Sequence, residues 1–155
     1  MPLEDLEFSV GNTMKGEQLF YVLESKDKQT YLAASFTADP IEYRWKDGAY
    51  AYAAMAIADA SMFVIVGEGF RPGEQLLTIS QTCSEIVSGI LEADADGKAY
   101  SILMPSLVKV KGATGKFTIR RQHSEELGTL DYLWGSRARE SIKFRENKRP
   151  QSANF

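Results

Sequence analysis

Val64-Ile65-Val66 runs into Gly67-Glu68-Gly69-Phe70-Arg71-Pro72-Gly73-Glu74 and emerges at Gln75-Leu76 as a second apolar run. Glycine reaches positive φ without steric cost and proline presets φ near −65°, so this spacing predicts a strand, a tight turn and a second strand. The same punctuation recurs down the chain. Short apolar or alternating segments are separated by Gly, Pro, Asp, Asn and Ser, the rhythm of an all-β sandwich or barrel rather than of a helical protein. Predicted strands are Glu7 to Val10, Leu19 to Glu24, Gln29 to Phe36, Ile41 to Trp45, Tyr50 to Ile57, Met62 to Val66, Gln75 to Ser80, Ile86 to Glu92, Ala99 to Met104, Gly115 to Arg121 and Gly128 to Trp134, with Ser141 to Arg145 as a final candidate. Asp47-Gly48 and Asp96-Gly97 each predict a hairpin. In Ala49 to Ala60 the alanines and Met55 favour helix, whereas the Tyr50/Tyr52 alternation behind Asp47-Gly48 favours strand, and we read strand.

A chain of 155 residues with 44% hydrophobic and 25% charged residues can bury one ordinary core. One β domain over residues 1–135 followed by a basic extension over 136–155 is expected. The longest apolar stretches, Tyr50 to Ile57 and Met62 to Val66, fall well short of the roughly 20 residues of a membrane-crossing helix. Met1-Pro2-Leu3-Glu4-Asp5-Leu6-Glu7 is acidic and unlike a secretory signal, so the protein either stays inside or has had its signal removed. One cysteine, Cys83, allows no internal disulfide and is expected to be at least partly buried.

The net charge of −3 is unevenly placed. Beyond Ser136, six basic residues (Arg137, Arg139, Lys143, Arg145, Lys148, Arg149) oppose Glu140 and Glu146, a local balance of +4 that leaves −7 for the rest. Two readings stand, a solvated tail or a docking arm for a protein partner. Lys109, Lys111, Lys116, Arg120 and Arg121 form a second basic cluster. Strand alternation divides it between two faces, so it suits solvated strand edges better than nucleic acid. A short echo links Lys15-Gly16-Glu17-Gln18-Leu19 with Pro72-Gly73-Glu74-Gln75-Leu76. It points to similar turns recurring within one enlarged domain.

The carboxyl-terminal half resembles bacterial immunoglobulin-like (Big-type) domains. Gly67 to Glu74 looks like their strand-connecting turn, Glu92-Ala93-Asp94-Ala95-Asp96-Gly97 like their mid-domain hairpin, Met104-Pro105 like the strand end that follows, and Gly112 to Ile119 like a late strand. The resemblance covers about residues 62–134. It implies an immunoglobulin-like antiparallel β-sandwich, here with extra strands on the amino-terminal side. It also implies a noncatalytic spacer, adhesive or assembly role at the periplasm or cell surface, and carries over no catalytic residue. The long additions at both ends favour a stand-alone assembly subunit over a member of a tandem array.

Chemistry-bearing residues are sparse. Asp94-Ala95-Asp96-Gly97 suggests calcium, but an EF-hand counted from Glu92 would need its bidentate glutamate where Leu103 stands, so a plain turn is expected. His123, the single histidine, lies in polar Gln122-His123-Ser124-Glu125-Glu126 and reads as a solvated loop residue. One Cys and one His are too few for a zinc centre, and Gly67-Glu68-Gly69 lacks the following helix that would receive a phosphate. No cofactor and no catalytic group are predicted. Tyr43, Trp45, Tyr50 and Tyr52 flank the Asp47-Gly48 turn, and on one face they would form a platform for a glycan or a protein anchor. The competing expectation places them, with Trp134, in the core or in cross-strand pairs. The leading expectation is thus a structural or protein-interaction subunit, by partner binding or self-assembly, with glycan binding as the alternative.

Overall fold

The computed structural model describes the backbone of residues 12–148 and the side chains of 12–142. The expected strand Glu7 to Val10 and Arg149 lie outside the described residues. Among the described residues ten strands and one helix follow in order: β1 (Gln18–Glu24), β2 (Tyr31–Thr37), β3 (Ile41–Arg44), β4 (Tyr50–Met55), β5 (Phe63–Glu68), β6 (Gln75–Thr82), β7 (Glu85–Glu92), β8 (Ala99–Leu103), β9 (Gly112–Arg121), β10 (Leu127–Gly135) and α1 (Ser136–Lys148). All sheets are antiparallel. Two four-stranded sheets, β3-β4-β5-β8 and β10-β9-β6-β7, face each other as a sandwich, and β1-β2 form a separate two-stranded sheet. The all-β expectation holds, and Tyr50–Met55 is a strand.

Register explains which side chains meet. Ile41, Ala53 and Ile65 align across the first sheet, as do Met55, Phe63 and Leu103. Leu76, Phe117, Ile119, Leu130 and Tyr132 point inward from the second. Phe63 and Tyr132 meet between the sheets with ring centroids 5.3 Å apart. Each fully buried side chain of this size contributes about 1.5–3 kcal/mol.

The Gly67–Gly73 turn joins β5 to β6 and so carries the chain from one sheet to the other. Asp94–Lys98 does the same between β7 and β8, which pair only with β6 and β5. Asp96-Gly97 therefore forms a tight turn but not a hairpin. Local chemistry closes it: the Asp94 carboxylate accepts from the Asp96 and Lys98 amides at 2.9 and 2.8 Å. Gly97, at φ +73°, lies so close to the Phe70 carbonyl that a Cβ would overlap it, which locks the two crossing turns together.

The sequence echo is a real structural repeat. Gly16 and Gly73 have φ of 81° and 74°. In each turn the following glutamate accepts through its side chain from the amide three residues back, Glu17 from Met14 at 2.8 Å and Glu74 from Arg71 at 2.9 Å. Each turn then launches a strand, β1 or β6.

The final candidate strand is corrected: Ser141 to Arg145 belongs to α1. The segment is rich in Arg, Glu and Lys, which favour helix, and Pro150 follows shortly after its end. Ala138 and Ile142, one turn apart, face the core, Ala138 fully buried. The helix packs on β9 and β10.

Candidate interaction surface

The two seams of the sandwich are built differently. At the β3/β10 seam, Tyr43 donates its hydroxyl to Glu126 Oε1 at 2.8 Å and Trp45 donates Nε1 to the Glu126 carbonyl at 3.2 Å. Gly128 lies directly on the Trp45 ring, where any Cβ would overlap it. Edge strand β3 is short, begins after Pro40 and carries Glu42 and Arg44, features that discourage further strand pairing.

Among the described residues the β7/β8 seam has no comparable closure. A groove of about 420 Å³ opens there, with Phe117, Thr78 and Thr82 among its lining residues and Val87, Ile90, Ile102 and Met104 along its sides. Ile90 and Ile102 are 68% and 66% exposed. Charge on β7 is confined to its ends, Glu85 and Glu92, and Ile86 to Leu91 between them is uncharged. A long, apolar, uncovered edge of this kind is a template for pairing with another chain. Cys83 stands at the β6-β7 turn with φ 53° and is exposed, not buried as expected, because the two-residue turn pushes it outward from the sheet.

A second uncovered surface is the β1-β2 arm. Its apolar residues alternate on both faces, Phe20 and Tyr31 being 75% and 77% exposed. Leu19, Tyr21 and Leu23 oppose Phe36, Ala34 and Leu32 on one face. There Tyr21 stacks on Phe36 at 5.4 Å.

The aromatic quartet does not share one face. Trp45 is 3% exposed and packs edge-on against Phe70 at 5.6 Å, while Tyr43 lies against Trp45 at 5.0 Å, both on the core side. Tyr50 and Tyr52 point out of the same sheet and stack on each other at 5.5 Å, with the Arg44 guanidinium 4.0 Å from the Tyr50 ring. The split follows from pleating: Tyr43 pairs with Ala51, whose neighbours Tyr50 and Tyr52 necessarily point the other way. Burial, reinforced by a hydrogen bond to Glu42, pushes the Tyr50 hydroxyl up to about 12. Tyr100 shares this outer face, in one row with Val66 and Tyr52.

Sequence reasoning missed the buried ionic centre. Arg121, expected on a solvated edge, has a side chain only 3% exposed and reaches Glu74, fully buried, at 3.0 Å and the rim residue Asp47 at 2.8 Å. Its guanidinium lies 5.2 Å from the Phe70 ring and 5.6 Å from Trp45. Burial alone would raise the Glu74 carboxyl, but hydrogen bonds from Arg121 and the Arg71 amide outweigh it and hold the pKa below its ordinary value. The Arg121 hydrogen bond likewise depresses Asp47. The centre ties the Asp47 hairpin, the Gly67–Gly73 crossing and the end of β9 together. His123 is exposed beyond it, lining a shallow surface basin with Arg120, Gln122 and Glu125.

Of the basic residues singled out beyond Ser136, Arg137 and Arg139 project from α1 into solvent, Arg137 lying 3.5 Å from Glu140. Lys143, Arg145 and Lys148 follow on the same helix, which is packed against the sandwich over its first two turns. Among the described residues no helix is long and apolar enough to cross a membrane. Comparison with protein families, with curated proteins and with solved structures gives no match for this chain.

Proposed function

We propose that this chain is a noncatalytic structural or protein-interaction subunit that binds neighbours at the open β7/β8 seam. The observation that carries the reading is the asymmetry of the seams: one is closed by Glu126, Trp45 and Gly128, the other left as an apolar groove between two bare strand edges. Strand addition there would supply main-chain hydrogen bonds from the partner and pockets for its alternate side chains.

The resemblance to bacterial immunoglobulin-like domains is part of this proposal and gains support from strand order. Taking β4 to β10 as seven consecutive strands, the first, second and fifth share one sheet and the third, sixth and seventh the other. That is the partition of an immunoglobulin constant-type sandwich. The fourth strand, β7, differs by lying beside the third instead of the fifth. This switch bares the edge of β8 and creates the groove. A periplasmic or surface location, where such domains act, belongs to the same proposal.

The test is affinity capture from the native source with the full chain and with Ile90→Asp/Ile102→Asp. A stoichiometric protein retained by the first and lost by the second is expected. Recovery of that protein by both chains, or of none by either, would sink the reading.

The second reading is glycan binding, favoured by one observation, the Tyr50/Tyr52 stack braced by Arg44 on an outer sheet face. Stacked aromatic faces suit the apolar faces of sugar rings. Glycan-array signal lost on Tyr52→Ala would support it, and a blank array with the wild-type chain would exclude the glycans displayed. Trp45 is unsuitable for this test because its removal would open the core.

A further inference from the structure

Among the described residues two surfaces lack apolar cover, and their shapes differ. The arm projects outward, with Phe20, Val22 and Tyr31 on one face, while the β7/β8 groove is recessed and flanked by Ile90 and Ile102. We propose that the arm of one copy seats in the groove of the next, so that the chain assembles head to tail with itself. The inference rests on the interaction reading above and names its partner as a second copy.

Three observations carry it. An isolated two-stranded hairpin is marginal in water, and packing only one face of this arm against its own sandwich would leave the other exposed. The lengths match: seven-residue strands in the arm against eight residues in β7, about 23 and about 26 Å at ~3.3 Å per residue. Finally, the exposed large apolar side chains of arm and groove offer together on the order of 1,000 Å², approaching the roughly 1,200 Å² at which specific interfaces begin before any backbone pairing is added.

A copy is poorly placed to fill its own groove. The arm is anchored at the β3/β4 side, where Gly16 donates to the Asp39 carbonyl at 2.8 Å and accepts from the Met55 amide at 2.9 Å. The groove lies at the opposite edge of that sheet, beside β8. A convex element meeting an unlike concave one is a heterologous contact, which propagates as a ring or a filament rather than closing as a two-fold dimer.

The experiment is light scattering on the full chain over a concentration series, with Val22→Asp in the arm and Ile90→Asp in the groove. Wild type should exceed monomer mass as concentration rises and each variant should stay monomeric. Their equimolar mixture should form a 1:1 heterodimer and nothing larger, since it restores one intact arm and one intact groove. Circular dichroism melts control for folding. Assembly that survives Val22→Asp, or a groove variant that dimerises alone, overturns the arm-to-groove contact. A wild-type chain monomeric at every concentration overturns self-assembly. If that monomer still captures a foreign protein through Ile90 and Ile102, the interaction reading survives; if it captures none, both fail.

Discussion

Arg121 shows how one side chain can bind three chain segments. Its partner Glu74 has no exposed side-chain surface, so removing the guanidinium would strand a charge in the interior rather than release it to water. Breaking a buried pair from one side costs about 3–5 kcal/mol, whereas replacing both partners costs far less. Arg121→Met is therefore expected to lose stability of that order in urea denaturation, and Arg121→Met/Glu74→Gln to recover much of it. The pH dependence follows in sign. Glu74 and Asp47 have folded pKa values depressed below their ordinary 4.5 and 3.8. Their stabilisation is complete above those values and fades as pH falls below them through the depressed ones. Acid titration of the melting temperature should show wild type losing stability in that window and Arg121→Met losing less. Tyr50 works in the opposite direction. Its raised pKa stabilises the fold below pH 10 and fails as pH climbs toward about 12, so a tyrosinate absorbance titration should find one late-ionising ring whose midpoint falls in Glu42→Gln.

The elements differ in how far they depend on the whole. The arm is held mainly by its own ladder and joins the sandwich at its base. Replacing residues 19–36 by Asn-Gly, so that a two-residue turn links the paired Gln18 and Thr37, should leave the melting temperature of the sandwich nearly unchanged by calorimetry. The helix is the reverse case. Ala138 is buried and Ile142 packs on the core, so ending the chain at Gly135 should cost about 2 kcal/mol and lower the melting temperature, even though the segment reads as a polar tail. Its basic residues dominate the composition, and only the four-residue spacing of Ala138 and Ile142 hints at a packed face. The turns, in contrast, are fully legible: Lys15-Gly16-Glu17 and Pro72-Gly73-Glu74 carry the glycine at positive φ and the back-bonding glutamate in the sequence itself.

For the whole molecule the decisive feature is the position of β7. Beside β6 it leaves a seam open; beside β8 it would cover that edge. Assembly through this seam would rest on apolar side chains, since the arm tip sets Glu24 and Asp27 beside Lys26 and Lys28, so salt should not oppose it. Raising ionic strength from about 0.1 M to about 1 M shortens the Debye length from about 10 Å to 3 Å. The concentration at which mass rises should then hold level or fall in light scattering, and an upward shift would mark a contact led by charge.

The alternation of apolar residues, the Gly and Asp turns and the lack of helical periodicity before Ser136 determined an all-β chain and most of its strands, because those signals act within a few residues. The identity of each strand's neighbour did not follow from them. Whether Asp96-Gly97 closes a hairpin or a crossing between sheets, whether Arg121 meets solvent or Glu74, and whether Trp45 and Tyr52 share a face depend on contacts between residues distant in sequence. Pairing and burial across the sandwich decide those questions, and with them the open seam at which this protein can meet a partner.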